Sequence, residues 1–202
     1  MDVDTPERVA LTEGHHVWRD RLPPALLPDE AAMEALWGER PERYREILIH
    51  GRTVETPRWQ QAYGHDYRYS GQVNEARPIA PDHLVARCLV WAHEAWDGRL
   101  NGALLNWYDG ALGHYIGAHR DSTKGLIEGA PIVGISLGEE RLFRMRRHQG
   151  KERVDLVVRH GDVIIIPWET NQAWTHELPR RAAYQGRRIS ITLRAFEDKE
   201  GN

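Results

Sequence analysis

The chain carries, after residue 100, six short segments that are rich in β-branched or aromatic residues and are separated by glycine, proline or charged turns. No helical stretch intervenes, so the pattern favours antiparallel strands over alternating strands and helices. We therefore predict a mainly β fold, of the α+β type, with a double-stranded β-helix (jelly-roll) core. The segments are ALLNWY, PIVGISLG, RLFRMRR, VDLVV, DVIIIPW and RISITLRAF.

The first half of the chain has a different sequence pattern, in which predicted helices and loops replace the regular series of strands. Residues 29–47 are helical in composition, with Pro41 interrupting and restarting the pattern. Residues 52–71 carry aromatics, proline and glycine in the manner of short strands and loops. Residues 81–96 place apolar side chains at helical spacing after a Pro-Asp start, which predicts an amphipathic helix.

Composition indicates one domain over residues 1–202, since 41% hydrophobic and 28% charged residues suit a single buried core. No apolar run approaches the roughly 18 residues of a membrane helix, and the opening residues lack a secretory signal. We expect a cytoplasmic monomer that makes no membrane contact. The single cysteine, Cys88, falls in the helical pattern of residues 81–96, where burial is expected.

His119 and Asp121 stand two apart in a segment that reads as a strand. Positions i and i+2 share one face of a strand, so both side chains can reach one ion. His176, just after the strand DVIIIPW, is the best-placed third ligand. Two imidazoles and one carboxylate form the facial triad of non-haem Fe(II) oxygenases. The alternative is a chance polar patch, because eleven histidines make an H-x-D easy to obtain.

The last predicted strand has one apolar face, Ile189, Ile191 and Leu193, and one polar face. Arginines on an inward face are costly to bury unless they meet anions, so this face suits a short dicarboxylate. The alternative is an edge strand with solvent-facing arginines. The polar face consists of Arg188, Ser190, Thr192 and Arg194.

Asn106 and Tyr108 likewise share one face of their strand and could supply an amide and a phenol to the same site. The alternative is that both side chains point outward.

Six blocks follow one another in order between about residues 55 and 196. They are NWYDG at 106–110, IGAHRD at 116–121, APIVGISLG at 130–138, HGDVII at 160–165, TNQAWTH at 170–176 and RISITLR at 188–194. Read together, these blocks resemble the AlkB family of Fe(II)- and 2-oxoglutarate-dependent dioxygenases. The order of so many blocks is more specific than any one of them.

The resemblance implies a role for each predicted site residue, with Fe(II) as metal and 2-oxoglutarate and O2 as co-substrates. His119, Asp121 and His176 would hold the iron. Arg188 and Tyr108 would grip the far carboxylate of 2-oxoglutarate, and Asn106 and Arg194 the carboxylate next to the keto group. Guanidinium groups suit this task because they present two parallel donors.

Residues 57–71, PRWQQAYGHDYRYSG, look like the substrate lid of the same family. We therefore divide the domain into an extension with lid, 1–75, and a jelly-roll core, 76–202. Aromatic lid residues could stack on an extruded base, although strand or core packing explains such residues equally well. The candidate substrate contacts are Arg58, Trp59, Tyr67, Tyr69, Thr123 and Trp168.

The resemblance implies oxidative demethylation or dealkylation of N-alkylated bases in DNA or RNA, with the basic segment 141–153, Arg180 and Arg181 holding phosphates. Thr123 stands where the family's repair enzymes carry an acid, and Ser190 where an asparagine is common. Loss of that acid should weaken recognition of cationic 1-methyladenine or 3-methylcytosine. Together with the net charge of -3, it keeps open a small-molecule or protein substrate. A non-catalytic jelly-roll binding module is the third hypothesis.

Overall fold

The computed structural model describes residues 5–49, 51–69 and 71–197; Ser70, within the predicted lid segment, lies outside them. The α helices are α1 Glu30–Gly38, α2 Leu84–Ala95 and α3 Trp168–Ala173, and a 3-10 turn spans Pro24–Leu26. The strands are β1 Glu7–Ala10, β2 His16–Arg21, β3 Glu46–Ile49, β4 Arg52–Glu55, β5 Trp59–Tyr63, β6 Tyr67–Tyr69, β7 Gln72–Asn74, β8 Ala76–Arg77, β9 Gly102–Asp109, β10 Ile116–His119, β11 Ile132–Gly138, β12 Arg141–Arg147, β13 Arg153–Val158, β14 Asp162–Ile166, β15 Trp174–Leu178 and β16 Arg187–Arg194.

Two sheets pack face to face and confirm the predicted jelly-roll. The major sheet has the order β1-β2-β14-β11-β16-β9-β5-β8, and the minor sheet the order β10-β15-β12-β13. Apolar side chains from both sheets meet between them, including Ile132 and Ile164 from the major sheet and Met145 and Trp174 from the minor one. The two hairpins β3-β4 and β6-β7 stand outside this sandwich.

The outer face of the major sheet is covered by α1 and α2. Leu36, Cys88 and Leu89 of these helices belong to one buried cluster with Ile189 and Ile191 of β16. Full burial of each such aliphatic side chain contributes about 1.5–3 kcal/mol. The alternation of β16 is thus as predicted, with its apolar face on the helices and its polar face turned to the inside of the sandwich. Burial also raises the pKa of Cys88 to about 12.

Two local predictions were wrong. The helical prediction for residues 29–47 fails after Gly38, and residues 46 and 47 instead begin β3, which pairs with β4, Ile47 opposite Val54. Trp168 begins α3 and does not extend its strand. The N-terminal segment is part of the core sheet, since β2 pairs with β14 and places Trp18 opposite Ile165.

None of the helices in the described ranges combines the length and apolar character that a membrane crossing requires.

Candidate metal and co-substrate site

His119 and His176 face each other on the adjacent antiparallel strands β10 and β15. They are direct partners in the strand register, and their ring centroids are 4.3 Å apart. A bulge in β10 lies between Ile116 and His119. Antiparallel pairing therefore brings two side chains together that are 57 positions apart in the chain.

Asp121 completes this group just beyond the end of β10. The amide of Asn171 in α3 fixes its backbone, accepting from the Asp121 N–H at 3.0 Å and donating to its carbonyl at 3.1 Å. Asn171 lies inside the TNQAWTH block, but nothing in the sequence pattern assigned it a role. The metal aspartate is therefore positioned by a helix that the sequence did not predict.

The donor set of this group fits a transition metal. The Nε2 atoms of His119 and His176 lie 3.5 and 3.8 Å from Oδ1 of Asp121, and one donor atom from each residue falls within 4.8 Å of the others. Nδ1 of His119 donates to the carbonyl of Gly117 at 2.8 Å, which leaves its Nε2 lone pair free. Two imidazoles and a carboxylate on one side of an ion match the facial triad.

The protonation states suit metal binding. Burial raises the pKa of Asp121, but Arg194 and the two imidazoles outweigh it, so the pKa falls below its usual range and the carboxylate stays ionised. Burial, with the charge of His119, lowers the pKa of His176 to about 3, which keeps its imidazole neutral. Metal ligands must be deprotonated, and both residues meet that requirement.

The inner face of the major sheet forms rows of polar side chains across its strands. Gln60, Asn106, Ser190 and Ser136 are successive register partners in one row. In the next row Arg188 stands opposite Tyr108. All of these side chains line one cavity of about 770 Å³ between the two sheets, together with the three metal-site residues.

Arg188 is a buried cation that lacks an anion. Its Nε donates to Ser136 at 3.0 Å and its guanidinium lies 5.2 Å from the ring centre of Tyr108. Its Nη1 has no partner among the described residues. Burial lowers its pKa to about 10. A buried guanidinium with a free donor beside a phenol is the arrangement that a carboxylate would complete.

Asn106 and Arg194 are already engaged. Oδ1 of Asn106 accepts from Nε of Arg58 and Nε2 of Gln60, both at 2.9 Å, so its amide N–H groups are what it can offer a ligand. Arg194 commits Nε and Nη2 to Asp121, leaving Nη1, which makes a long 3.4 Å contact to the carbonyl of Thr192.

Comparison with known proteins agrees with this geometry. The model of the 2OG-Fe(II) oxygenase superfamily matches residues 27–194. The chain belongs to this superfamily. Fe(II), 2-oxoglutarate and O2 are accordingly the cofactor and co-substrates of this oxygenase.

Its curated relatives confirm the AlkB resemblance. The oxygenase is 31% identical over 160 residues to the DNA oxidative demethylase ALKBH2 of Mus musculus, which is 74% of this chain and 66% of that protein. It is 27% identical over 181 residues to the alpha-ketoglutarate-dependent dioxygenase alkB homolog 3 of Homo sapiens, which is 84% of this chain and 62% of that protein. The oxygenase thus spans slightly less than two thirds of the length of these relatives.

A solved structure, that of OsALKBH1, has the same fold. It superposes on the oxygenase with a TM-score of 0.53 at 14% sequence identity, over 84% of this chain and 94% of that chain. At this identity the likeness supports the jelly-roll fold alone.

Three of the six predicted substrate residues line the cavity of the oxygenase. Arg58, Tyr67 and Tyr69 are in its wall. The rings of Tyr67 and Tyr69 are nearly parallel with centroids 6.5 Å apart, and the guanidinium of Arg194 lies 4.5 Å from the ring centre of Tyr67. A second cavity of about 690 Å³, bordered by the two outer hairpins, shares Gln60, Tyr67 and Tyr69 with the first. The tyrosines therefore stand where the two cavities meet.

Trp59, Trp168 and Thr123 do not line this cavity. Trp59 neighbours Gln60 on β5 and so projects from the opposite face, where it stacks on Tyr44 at 5.1 Å. Trp168 packs against the apolar cluster that contains Tyr67. Thr123 is exposed in a turn, with its carbonyl accepting from the N–H of Leu126.

Several arginines of the basic segment 141–153 are paired with carboxylates from other parts of the chain. Arg144 makes two hydrogen bonds to Asp155 at 2.6 and 2.8 Å. Arg146 pairs with Glu177 at 2.7 Å and Arg147 with Glu13. Such pairing reduces the positive charge that β12 offers to a polyanion.

Sequence reasoning missed three further residues of the cavity wall. Gln60 shares a face with Arg58 at i+2, Ser136 lies in the APIVGISLG block, and Phe143 stacks on the imidazole of His176 at 5.6 Å. Strand alternation could have indicated Gln60, but the partner of Phe143 depends on the register between β12 and β15.

Proposed function

We propose that this oxygenase oxidatively removes alkyl groups from ring nitrogens of bases in DNA or RNA. The observation that carries the proposal is one cavity that holds a facial triad, a buried arginine without an anion, and a pair of tyrosines at its junction with an outer cavity. The relatives ALKBH2, a DNA oxidative demethylase, and alkB homolog 3, a dioxygenase, agree with it.

The metal group would consist of His119, Asp121 and His176. Iron bound there with 2-oxoglutarate and O2 supplies the oxidising power to hydroxylate a C–H bond next to nitrogen. One oxygen atom of O2 enters the substrate and the other enters succinate, while 2-oxoglutarate loses CO2. The hydroxyalkyl product on nitrogen then separates into an aldehyde and the unmodified base.

The chain's own residues would bind and orient the co-substrate. Arg188 and Tyr108 would take the far carboxylate, since Arg188 has a buried free donor beside the phenol. The amide of Asn106 and Nη1 of Arg194 would donate to the carboxylate beside the keto group. The apolar wall around them, with Leu104, excludes water from the reacting atoms.

The substrate end would use aromatic stacking. An enzyme that modifies a base within a strand must extrude it, and a flipped base gains stacking on aromatic rings. Tyr67 and Tyr69 stand at the junction of the two cavities, so an extruded base entering from the hairpin side passes them.

A small molecule or protein side chain is the second candidate substrate. The pairing of Arg144, Arg146 and Arg147 with carboxylates favours it, because fewer cations are left for a phosphate backbone. This candidate keeps the same metal and co-substrate residues.

Succinate and formaldehyde formation would test the proposal. The iron-loaded protein is given 2-oxoglutarate and O2 with a methylated or an unmethylated single-stranded oligonucleotide, in parallel with His119→Ala and the control His15→Ala, which lies between β1 and β2 outside both cavities. We expect formaldehyde in step with succinate only with the methylated strand, from the native protein and His15→Ala. Slow turnover that His119→Ala abolishes but the oligonucleotide does not change would favour the second candidate. No succinate at all would favour the binding module.

A further inference from the structure

Arg141 is a second buried arginine on the inner side of the sandwich. It begins β12 opposite Val158, and Phe143 follows two positions later on the same face. Both Val158 and Phe143 line the cavity, so Arg141 projects from the inner face of the minor sheet. Its side chain is 3% exposed, whereas Arg144 and Arg146 project from the outer face of the same strand.

The contacts of Arg141 satisfy only part of its guanidinium. Nη2 meets Oε2 of Glu139 at 2.8 Å and the carbonyl of Gly186 at 3.1 Å, and the ring of Tyr184 lies 4.3 Å from the guanidinium carbon. Nε and Nη1 have no partner among the described residues. Buried donors left without partners cost free energy, so this arrangement is incomplete as it stands.

Arg141 lies close to the start of β16, because its Nη2 contacts the carbonyl of Gly186, two positions before Arg188, and Gly138 at the end of the preceding strand is the register partner of Arg188. Burial lowers the pKa of both arginines, the charge of Arg141 lowers that of Arg188 further, and Tyr108 acts on both. Glu139 offsets one of the two positive charges. The sandwich interior around Arg188 thus holds two buried cations and one carboxylate. Among the described residues, three N–H sites of these two arginines have no partner, namely Nε and Nη1 of Arg141 and Nη1 of Arg188.

We propose that Arg141 is a specificity-determining residue for the co-substrate, holding a second positive charge behind Tyr108 and Arg188 so that a dicarboxylate binds in preference to a monocarboxylate. The inference rests on the co-substrate site of the proposed function. Arg141 does not line the cavity wall, so it acts through Tyr108 and Arg188 as a positioning residue. Its charge reaches the far carboxylate because the sandwich interior screens poorly.

A purely structural role would give a different result. Oε1 of Glu139 accepts from the N–H groups of Gln185 and Gly186 at 2.9 and 2.8 Å, so Glu139 and Arg141 clamp the segment that leads into Arg188. Loss of this clamp would displace Arg188 and weaken 2-oxoglutarate whether or not the side chain at position 141 carries a charge. Loss of charge alone would weaken only ligands that carry the far carboxylate, and a lysine at this position would restore their affinity.

Anaerobic calorimetry on the iron-loaded protein would separate the two roles. The affinities of 2-oxoglutarate and of 2-oxopentanoate, which has a methyl group in place of the far carboxylate, are measured for the native protein, Arg141→Gln, Arg141→Lys and the outer-face control Arg144→Gln. We expect Arg141→Gln to weaken 2-oxoglutarate by about tenfold and 2-oxopentanoate by less than about twofold. Arg141→Lys, which keeps the charge, should stay within about threefold of the native protein, as should Arg144→Gln.

A loss of about tenfold for 2-oxoglutarate in both Arg141→Gln and Arg141→Lys, or equal losses for both ligands in Arg141→Gln, would overturn the inference in favour of the clamp, and no loss for either ligand would overturn it outright. If Arg141→Gln does not fold, Arg141→Lys is the test, because a loss of about tenfold for 2-oxoglutarate despite the retained charge also assigns the role to the clamp. Failure of the native protein to bind 2-oxoglutarate would instead remove the proposed function, and that result is visible before any variant is made.

Discussion

Arg194 donates two hydrogen bonds to a single oxygen of Asp121, from Nε at 2.9 Å and from Nη2 at 2.5 Å, and both side chains are buried. Because Oδ2 is taken by the arginine, Oδ1 is turned toward the imidazoles of His119 and His176. The same arginine stacks on Tyr67 in the cavity wall. One side chain therefore links the metal group to the aromatic pair.

Arg194→Met is expected to destabilise the metal-free protein by about 3–5 kcal/mol, since it leaves the Asp121 carboxylate buried without its partner. Urea unfolding of the metal-free protein measures this. Adding Asp121→Asn to Arg194→Met should recover part of the loss because the uncompensated charge is removed. If Arg194→Met is as stable as the native protein, the ion pair between Arg194 and Asp121 contributes no net stability.

Tyr69→Ala is expected to raise KM for a methylated oligonucleotide by about tenfold while leaving the melting temperature nearly unchanged, since stacking on a base contributes about 1–3 kcal/mol. Trp59→Leu should do the reverse, lowering stability by about 2 kcal/mol without a comparable change in KM, because Trp59 packs on Tyr44 and Trp37. Steady-state kinetics and thermal melting of both variants test the assignment. An equal KM effect from Trp59→Leu would contradict it.

A neutral methylated base is expected to be a better substrate than a cationic one. Among the described residues of the cavity wall the only carboxylate is Asp121, which Arg194 already binds, while three arginines line the same wall. A cationic base would enter without an anionic partner. Rates of formaldehyde release from matched oligonucleotides containing 3-methylthymine or 3-methylcytosine make the comparison. A clear preference for 3-methylcytosine would contradict this charge argument.

Acid is expected to weaken the fold through His114. Its Nδ1 accepts from the N–H of Asp109 at 3.1 Å and its Nε2 contacts the hydroxyl of Tyr44 at 2.9 Å. Burial, aided by the charges of Arg141 and Arg58 and opposed by Asp109, lowers the pKa of His114 below its usual value. The unfolded chain then binds more protons, so this contribution is complete above about pH 6.5 and is lost as the pH falls below it.

Urea unfolding between about pH 7.5 and about pH 5.5 tests this, with His114→Gln as the variant. We expect the free energy of unfolding of the native protein to fall over this range and that of His114→Gln to fall less steeply. The free energy of unfolding of His114→Gln should still fall with decreasing pH, because burial also lowers the pKa of His160 and His176. Identical slopes would show that His114 takes no part.

Much of the site could be predicted because strand alternation is local. The spacing of Arg188 and Arg194 places this pair on one face of a strand whatever the strand pairs with. Asp121, by contrast, lies beyond the end of β10, so the predicted strand face does not extend to it and Asn171 fixes its position. Strand alternation could not place Trp59. It shows that Trp59 and Gln60 point to opposite faces of β5, but not which of these faces lines the cavity. The face that carries Trp59 is covered by α1 and Tyr44, so the opposite face lines the cavity.

The sequence by itself determined the β-rich core, the polar face of β16 and the candidate ligands, because these follow from side-chain periodicity over a few residues. Tertiary structure alone decided that Asn171 holds Asp121, that Arg146 is paired with Glu177, and that Arg141 contacts Gly186 just before β16. Each of these contacts joins strands or helices distant in the chain. Their register and packing depend on how the whole sheet assembles, which no short segment encodes.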